Sequence, residues 1–192
     1  MIDPGAVAAI FLAAGRSSRF GAADKLLAPL DAMPVALRAA AAIVELATAR
    51  RIAVCPDRDG DLARLLAAEG FEIVANPDTE AGLSASLRKG IDAVAAGLER
   101  AALLCLADMP FVRAAHLRAL LARFDPETAP VVASSRDGVP MPPALFARAV
   151  FGELATATGD RGGRALLASA ALVPAAAGEL ADIDRPADLS AW

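Results

Sequence analysis

The chain has 192 residues, 56% hydrophobic but only 4% aromatic, and its 23 acidic and 19 basic residues leave a net charge of −4. The mean hydropathy of +0.47 resembles that of a membrane protein, yet about a quarter of the residues are alanine, which counts as apolar while burying little surface. No run of about 18 uncharged apolar residues exists, since Arg38 and Glu45 break the Ala-rich stretch from Val35 to Ala49, and the basic residues are scattered, which excludes a membrane span and nucleic acid as the main partner.

The start of the chain carries Asp3 and Pro4 and no basic segment leading into an apolar core, so no secretory signal is expected there. Cys55 and Cys105 each lie inside an apolar run and read as core thiols rather than a disulfide or metal pair. A cytoplasmic protein is expected.

In chain order, Ala6–Ala13 reads as a strand and Pro34–Ala49 as a helix with proline near its start. A strand over Arg51–Cys55, a helix over Asp59–Glu69 and a strand over Phe71–Ala75 follow. Next come a helix over Leu83–Gly97, a strand over Ala101–Leu106, a helix over Arg113–Phe124 and a strand over Pro130–Ser134. Helices are then expected over Pro143–Phe151 and Arg164–Ala170, and strands over Ala171–Pro174 and Glu179–Asp184, with a helical turn after Pro186.

Continuous apolar strands separated by helices indicate an α/β fold with a mostly parallel sheet covered on both faces. No repeat and no long Pro/Gly/Ser-rich linker interrupts it, so residues 1–192 are expected to form a single domain. Ligands of such sheets bind beyond the C-terminal strand ends, here just after Ala13, Ala75 and Leu106.

The first of these loops runs from Leu12, Ala13, Ala14 and Gly15 through Arg19 to Lys25. Small residues let the backbone approach a ligand, and Arg19 and Lys25 could meet a triphosphate. The spacing is neither a Walker A loop nor GxGxxG, and an ordinary βα turn remains the plain alternative. Asp108, followed by Met109 and Pro110 at the next strand end, is placed to hold Mg²⁺ or to cap a turn. Asp182, Asp184 and Asp188 supply further carboxylates, with Asp182 and Asp184 on one side of the expected strand and Asp188 on the turn. Asn76, Gly82 and Ser84 offer compact hydrogen-bonding groups near a helix start, where capping alone would also account for Ser84. His116, the one histidine, lies in a helix and is assigned a structural or solvated role.

Together these segments resemble the molybdenum cofactor nucleotidyltransferases of the NTP-transferase superfamily. Leu-Ala-Ala-Gly-x-Ser-x-Arg-x-Gly with Lys-Leu-Leu matches that family's signature at 12–27, and Asn76 with Gly82-Leu83-Ser84 its second block. Asp108-Met109-Pro110 and Asp182-Ile183-Asp184-x-Pro186-x-Asp188 match the third and the last. Gly138–Phe146 and Gly159–Leu167 resemble its acceptor-side segments, although Met141-Pro142-Pro143 stands where relatives often show Gly-His-Pro.

The resemblance implies a Rossmann-like three-layer α/β/α sandwich with residues 1–110 mainly binding nucleotide and 111–192 mainly binding acceptor and supplying the closing carboxylates. Leu12 to Gly15, Asn76, Gly82 and Ser84 would hold base and ribose, and Arg19 and Lys25 the triphosphate. Asp108 would hold Mg²⁺ (or Mn²⁺), with Asp184 as preferred second carboxylate and Asp182 next. Gly138, Pro143, Asp160 and Arg161 would face the acceptor. The implied reaction is Mg²⁺-dependent transfer of CMP from CTP to the terminal phosphate of molybdopterin cofactor, in the manner of the cytidylyltransferases, with a molybdoenzyme or chaperone receiving the product. GTP in place of CTP, a sugar phosphate acceptor, or a non-catalytic cofactor carrier are the alternatives.

Overall fold

The computed structural model describes residues 1–15, 20, 24–156 and 166–190. Strand β1 (Val7–Leu12) is buried along its whole length. After it, Pro29–Leu30 (β2) and Met33–Pro34 (β3) pair as a small hairpin, and Pro34 then caps helix α1 (Val35–Leu46). Strand β4 (Arg50–Cys55), helix α2 (Asp61–Ala68), strand β5 (Glu72–Ala75) and helix α3 (Gly82–Ala95) follow. The second half contains β6 (Ala101–Leu106), α4 (Ala114–Arg123), β7 (Val131–Arg136), β8 (Val139–Ala147), α5 (Phe151–Thr156) and β9 (Ala171–Pro174). A 3-10 turn at Pro186–Ser190 closes the described chain.

Seven strands form one sheet in the order β5-β4-β1-β6-β8-β7-β9. All neighbours are parallel except for β8, which runs antiparallel to both β6 and β7. Alternate residues of β1 enter opposite layers, as strand geometry requires. Val7, Ala9 and Phe11 pack with α1, α2 and α4, whereas Ala8, Ile10 and Leu12 pack with α3 and α5. The sheet is thus covered on both faces, a Rossmann-like α/β arrangement. Among the described residues no helix is long and apolar enough to cross a membrane. Cys55 and Cys105 are buried free thiols, each pushed up to about 12 by burial, with Asp57 adding to the effect at Cys55.

Two expected elements take another form. The helix expected over Pro143–Phe151 is mostly strand β8, which is followed by a 3-10 turn at Arg148–Val150, with α5 starting only at Phe151. Prolines interrupt a helix because they lack an N–H and crowd the preceding turn. Here Pro140, Pro142 and Pro143 lie in the part of β8 that β6 does not pair with, since β6 engages only Ala144–Ala147, and a register shift on the β7 side falls between Ala133 and Ser134. The strand expected over Glu179–Asp184 is a turn followed by irregular chain. Its buried apolar residues, Leu180 and Ile183, are three apart, which is not a strand's period of two. Asp182 and Asp184 therefore do not share a strand face. Of the helix expected over Arg164–Ala170, residues 166 and 167 are helical, 168 and 169 form a turn, and 164–165 lie outside the described residues.

Helix α3 lies so close to the sheet that a Cβ at Gly90 would stand 2.5 Å from Ile10 Cγ2. His116 of α4 is buried and its Nε2 lies 2.8 Å from Ser134 Oγ on β7. The Ser134 hydroxyl donates to the Pro143 carbonyl at 2.7 Å, so His116 Nε2–H is the donor to Ser134. Burial pulls the His116 pKa below its usual value; Glu179 opposes this and Arg113 assists it. This matches the structural role expected for His116.

Replacing Gly90 by alanine should lower stability by about 1–3 kcal/mol through overpacking, against the gain of ~1 kcal/mol that helix propensity alone would give; urea unfolding reads the sign directly. For His116 the unfolded chain binds the proton more readily than the folded one. Stability should therefore fall as pH drops below about 6.5. In urea unfolding across that range, His116→Gln should remove this part of the pH dependence.

Candidate functional site

The sheet's topological switch lies between β1 and β6: the chain leaves β1 toward β4 and β5, then returns to β6 on the other side. The crevice beyond their C-terminal ends is where open α/β sheets bind ligands. Both ends are held rigidly. Ala13 N–H donates to Val54 O at 2.9 Å and Ala107 N–H to Leu12 O at 3.1 Å, carrying the parallel ladders one residue past each strand. Leu12, Ala13 and Ala14 are buried and Gly15 is exposed. A Cβ at Gly15 would meet nothing within 4 Å, so packing alone does not demand glycine there.

Lys25 returns from the β1 loop into this crevice, only 6% exposed. Its Nζ donates to Asp108 Oδ2 at 2.8 Å and to Asp184 Oδ1 at 3.1 Å. Burial works against the charged ammonium, but the two carboxylates outweigh it and hold the Lys25 pKa above the ordinary lysine value. Asp108 stands just past β6, and the tail is docked against it by Ile183 N–H donating to the Asp108 carbonyl at 2.8 Å. Ile183 itself is fully buried.

Asp188 has a different place from the other tail carboxylates. Its Oδ2 accepts from the backbone N–H groups of Asp184 at 2.8 Å and Arg185 at 2.7 Å. These bonds hold its carboxyl below the usual range. Asp182 is exposed and makes no hydrogen bond or ion pair with Lys25 or Asp108.

Asn76 is 2% exposed and its side-chain amide donates to Ser86 Oγ at 2.9 Å, tying the end of β5 to the first turns of α3. Gly82 opens α3 with φ +77°, a conformation that favours glycine, and Ser84, in the first turn, is half-buried. On the acceptor side, Asp137 and Gly138 (φ +53° and +77°) make the β7–β8 turn, so hairpin geometry already explains Gly138. Pro143 is buried, with its carbonyl engaged by Ser134. Arg19, Asp160 and Arg161 lie outside the described residues.

Lys25, Asp108 and Asp184 are therefore brought together, whereas Gly138 and Pro143 are not part of that cluster. Neither Asp188's backbone contacts nor Asn76's bond to Ser86 was foreseen from the sequence. The signal for the first was present: proline at the first position of a helical turn and a carboxylate at the third form an N-terminal capping pattern.

Among the described residues no group of three or more His, Cys, Asp or Glu side chains gathers in a metal-binding arrangement. The fit here is that of Mg²⁺ or Mn²⁺, which takes one or two carboxylates and completes its shell with phosphate oxygens and water. Asp108 and Asp184, already converging on one cation and partly exposed at 24% and 40%, supply that donor set.

Because the Lys25 pKa is raised, the bridge's stabilisation is complete below about pH 10.4 and is lost as pH rises through the higher folded-state value. Lys25→Met should cost roughly 1–3 kcal/mol at pH 7. Urea unfolding should find that difference unchanged at about pH 9, still below the unfolded pKa.

Residues 9–175 match the MobA-like NTP transferase domain family. The chain is 32% identical over 127 residues to the "Bifunctional protein GlmU" of Sphingopyxis alaskensis, a match covering 66% of this chain and 28% of that protein. The fold is similar to a nucleotidyl transferase from Methanothermobacter thermautotroptrophicus, with TM-score 0.82 and 23% identity over 96% of this chain and 94% of that one. It is likewise similar to Rv0371c from Mycobacterium tuberculosis, with TM-score 0.79 and 25% identity over 96% of each chain; that protein also has a structure in complex with manganese. The chain belongs to the MobA-like NTP transferase domain family.

Proposed function

We propose that the protein transfers CMP from CTP to the terminal phosphate of molybdenum-molybdopterin cofactor, releasing pyrophosphate. The observation that carries this reading is the Lys25 bridge to Asp108 and Asp184 at the β1/β6 switch point. A buried ammonium between two carboxylates is a place where a divalent cation and a polyphosphate can be bound together. Membership of a nucleotidyltransferase family supports the reaction class. CTP is favoured over GTP because Leu12-Ala13-Ala14-Gly15, Lys25-Leu26-Leu27 and Gly82-Leu83-Ser84 resemble the cytidylyl branch.

In this reading the terminal phosphate oxygen of the acceptor attacks the α-phosphorus of CTP. The new P–O bond forms as the bond to the β-phosphate oxygen breaks, and pyrophosphate leaves with that electron pair. The acceptor is already an anion, so no protein base is required. Asp108 and Asp184 would hold a divalent cation, Mg²⁺ or Mn²⁺, and the manganese complex of Rv0371c supports that choice. Such an ion, when bound, supplies charge neutralisation at the phosphates. Lys25, with Arg19, would meet the triphosphate. Gly15 and the Gly82–Ser84 helix start border the nucleotide, and Asn76 acts through Ser86 to fix that helix start. Residues 111–192 take the acceptor, with Gly138, Pro143, Asp160 and Arg161 on that side. Two buried reduced thiols suit a reducing cytoplasm.

A second reading keeps the nucleotide chemistry and changes the acceptor to another small phosphorylated molecule. The proline-rich Met141-Pro142-Pro143 segment favours it, since it departs from the Gly-His-Pro that relatives often show and lies in β8, within the Gly138–Phe146 stretch that resembles an acceptor-side segment. Incubation with Mg²⁺, each of CTP and GTP, and either molybdenum-molybdopterin or a sugar phosphate should release pyrophosphate fastest with CTP and molybdopterin. Faster release with the sugar phosphate would select the second reading, and no release with any pair would refute both. Asp108→Ala should lower turnover by about 10²–10³-fold or more, while a carrier would still deliver cofactor after that change.

A further inference from the structure

We infer that Asp188 is a positioning residue that sets the Asp184 carboxylate opposite Asp108, and is not itself a ligand of the cation. The inference rests on the metal-binding reading of Asp108 and Asp184. Asp184 lies on irregular chain, with no strand or helix hydrogen bonds of its own to fix it. Two anchors flank it instead. On one side Ile183 is buried in the core and donates its N–H to the Asp108 carbonyl. On the other, Asp188 Oδ2 receives both the Asp184 and the Arg185 N–H groups.

One carboxylate oxygen thus gathers two consecutive amides and closes the loop onto the 3-10 turn that begins at Pro186. Pro186, with φ fixed by its ring, starts that turn in the conformation the loop needs. The Asp188 oxygen that accepts these bonds faces the backbone, whereas Asp184 Oδ1 faces Lys25. The two carboxylates are therefore turned to different tasks, although only three residues separate them. Outer partners that orient a metal's carboxylates commonly govern its affinity. An asparagine oxygen can accept the same two amides without the charge, so the role separates cleanly from that of a ligand.

The experiment measures Mn²⁺ affinity by titration of the nucleotide-free protein, together with amide hydrogen exchange at residues 184 and 185. Asp188→Ala should speed exchange at both amides and weaken Mn²⁺ roughly tenfold or more. Asp188→Asn should leave exchange slow and affinity within about threefold of wild type, because the clamp survives. In an Asp184→Ala background, Asp188→Ala should add no further loss, since it acts only through Asp184. A further loss in that background, an asparagine variant as weak as the alanine one, or unchanged exchange in Asp188→Ala would each overturn the inference. If Asp188→Ala speeds exchange but Asp184→Ala leaves Mn²⁺ affinity intact, the clamp stands as structure and the metal-binding reading of Asp184 falls.

Discussion

An ammonium shared by two carboxylates organises the molecule. Asp108 and Asp184 are 83 and 159 residues away from Lys25 along the chain, and each of the three arrives on a different segment: the return of the β1 loop, the end of β6, and the tail. Burying a lysine alone would be unfavourable, and the two carboxylates reverse that balance. The converse also holds, because two carboxylates aimed at one point repel each other unless a cation stands between them. Each partner makes the placement of the others tolerable.

The sheet makes this convergence dependable. β1 is an interior strand, with β4 and β6 on either side, and its alternate residues feed the two layers of helices. Glycine at position 90 lets α3 lie close to β1, and the buried alanines of α1 pack into the layer on the other face. That close packing is the physical content of the 56% hydrophobic composition: small apolar residues bring backbone near backbone, and interiors packed to this density transmit position accurately. The crevice beyond β1 and β6 inherits its geometry from strands that cannot shift without opening the core.

Much of this could be read from the sequence, and the exceptions have a common cause. The strands at 7–12, 50–55, 72–75 and 101–106 and helices α1 to α4 are long or strongly patterned, so local pattern agrees with tertiary placement. Lys25 and Asp108 could be named as charged residues in the loops beyond apolar strands, with turn and cap roles as the alternatives, and Asp184 is preferred over Asp182 only through the family resemblance. β8 escaped because Pro140, Pro142 and Pro143 conceal a strand whose proline-free part, Ala144–Ala147, the half it shares with β6, is too short to announce itself. The tail escaped because Leu180 and Ile183 are held in the core by docking rather than by a ladder. The bond between Asn76 and Ser86, ten residues apart, and the use of Asp188 on backbone amides are matters of three-dimensional closure that one-dimensional spacing only hints at.

The net charge of −4 is consistent with anionic ligands once distance and burial are considered. Arg38–Asp31, Arg64–Asp61 and Arg118–Glu45 are ion pairs at the surface, where water and salt screen charge over about 10 Å and each pair contributes little. The charges that a ligand at the β1/β6 crevice would meet are those within a few ångströms, where Lys25 is held by geometry and kept protonated by its neighbours. Asp108 and Asp184 set two carboxylates against that one ammonium, so the cluster has room for further positive charge. In the proposed reaction a divalent cation would supply that charge, and the polyphosphate would meet both the cation and the ammonium. On the proposed reading, an acidic protein would need no basic surface for a strongly anionic ligand, because a cation on two carboxylates and one buried ammonium would meet it locally.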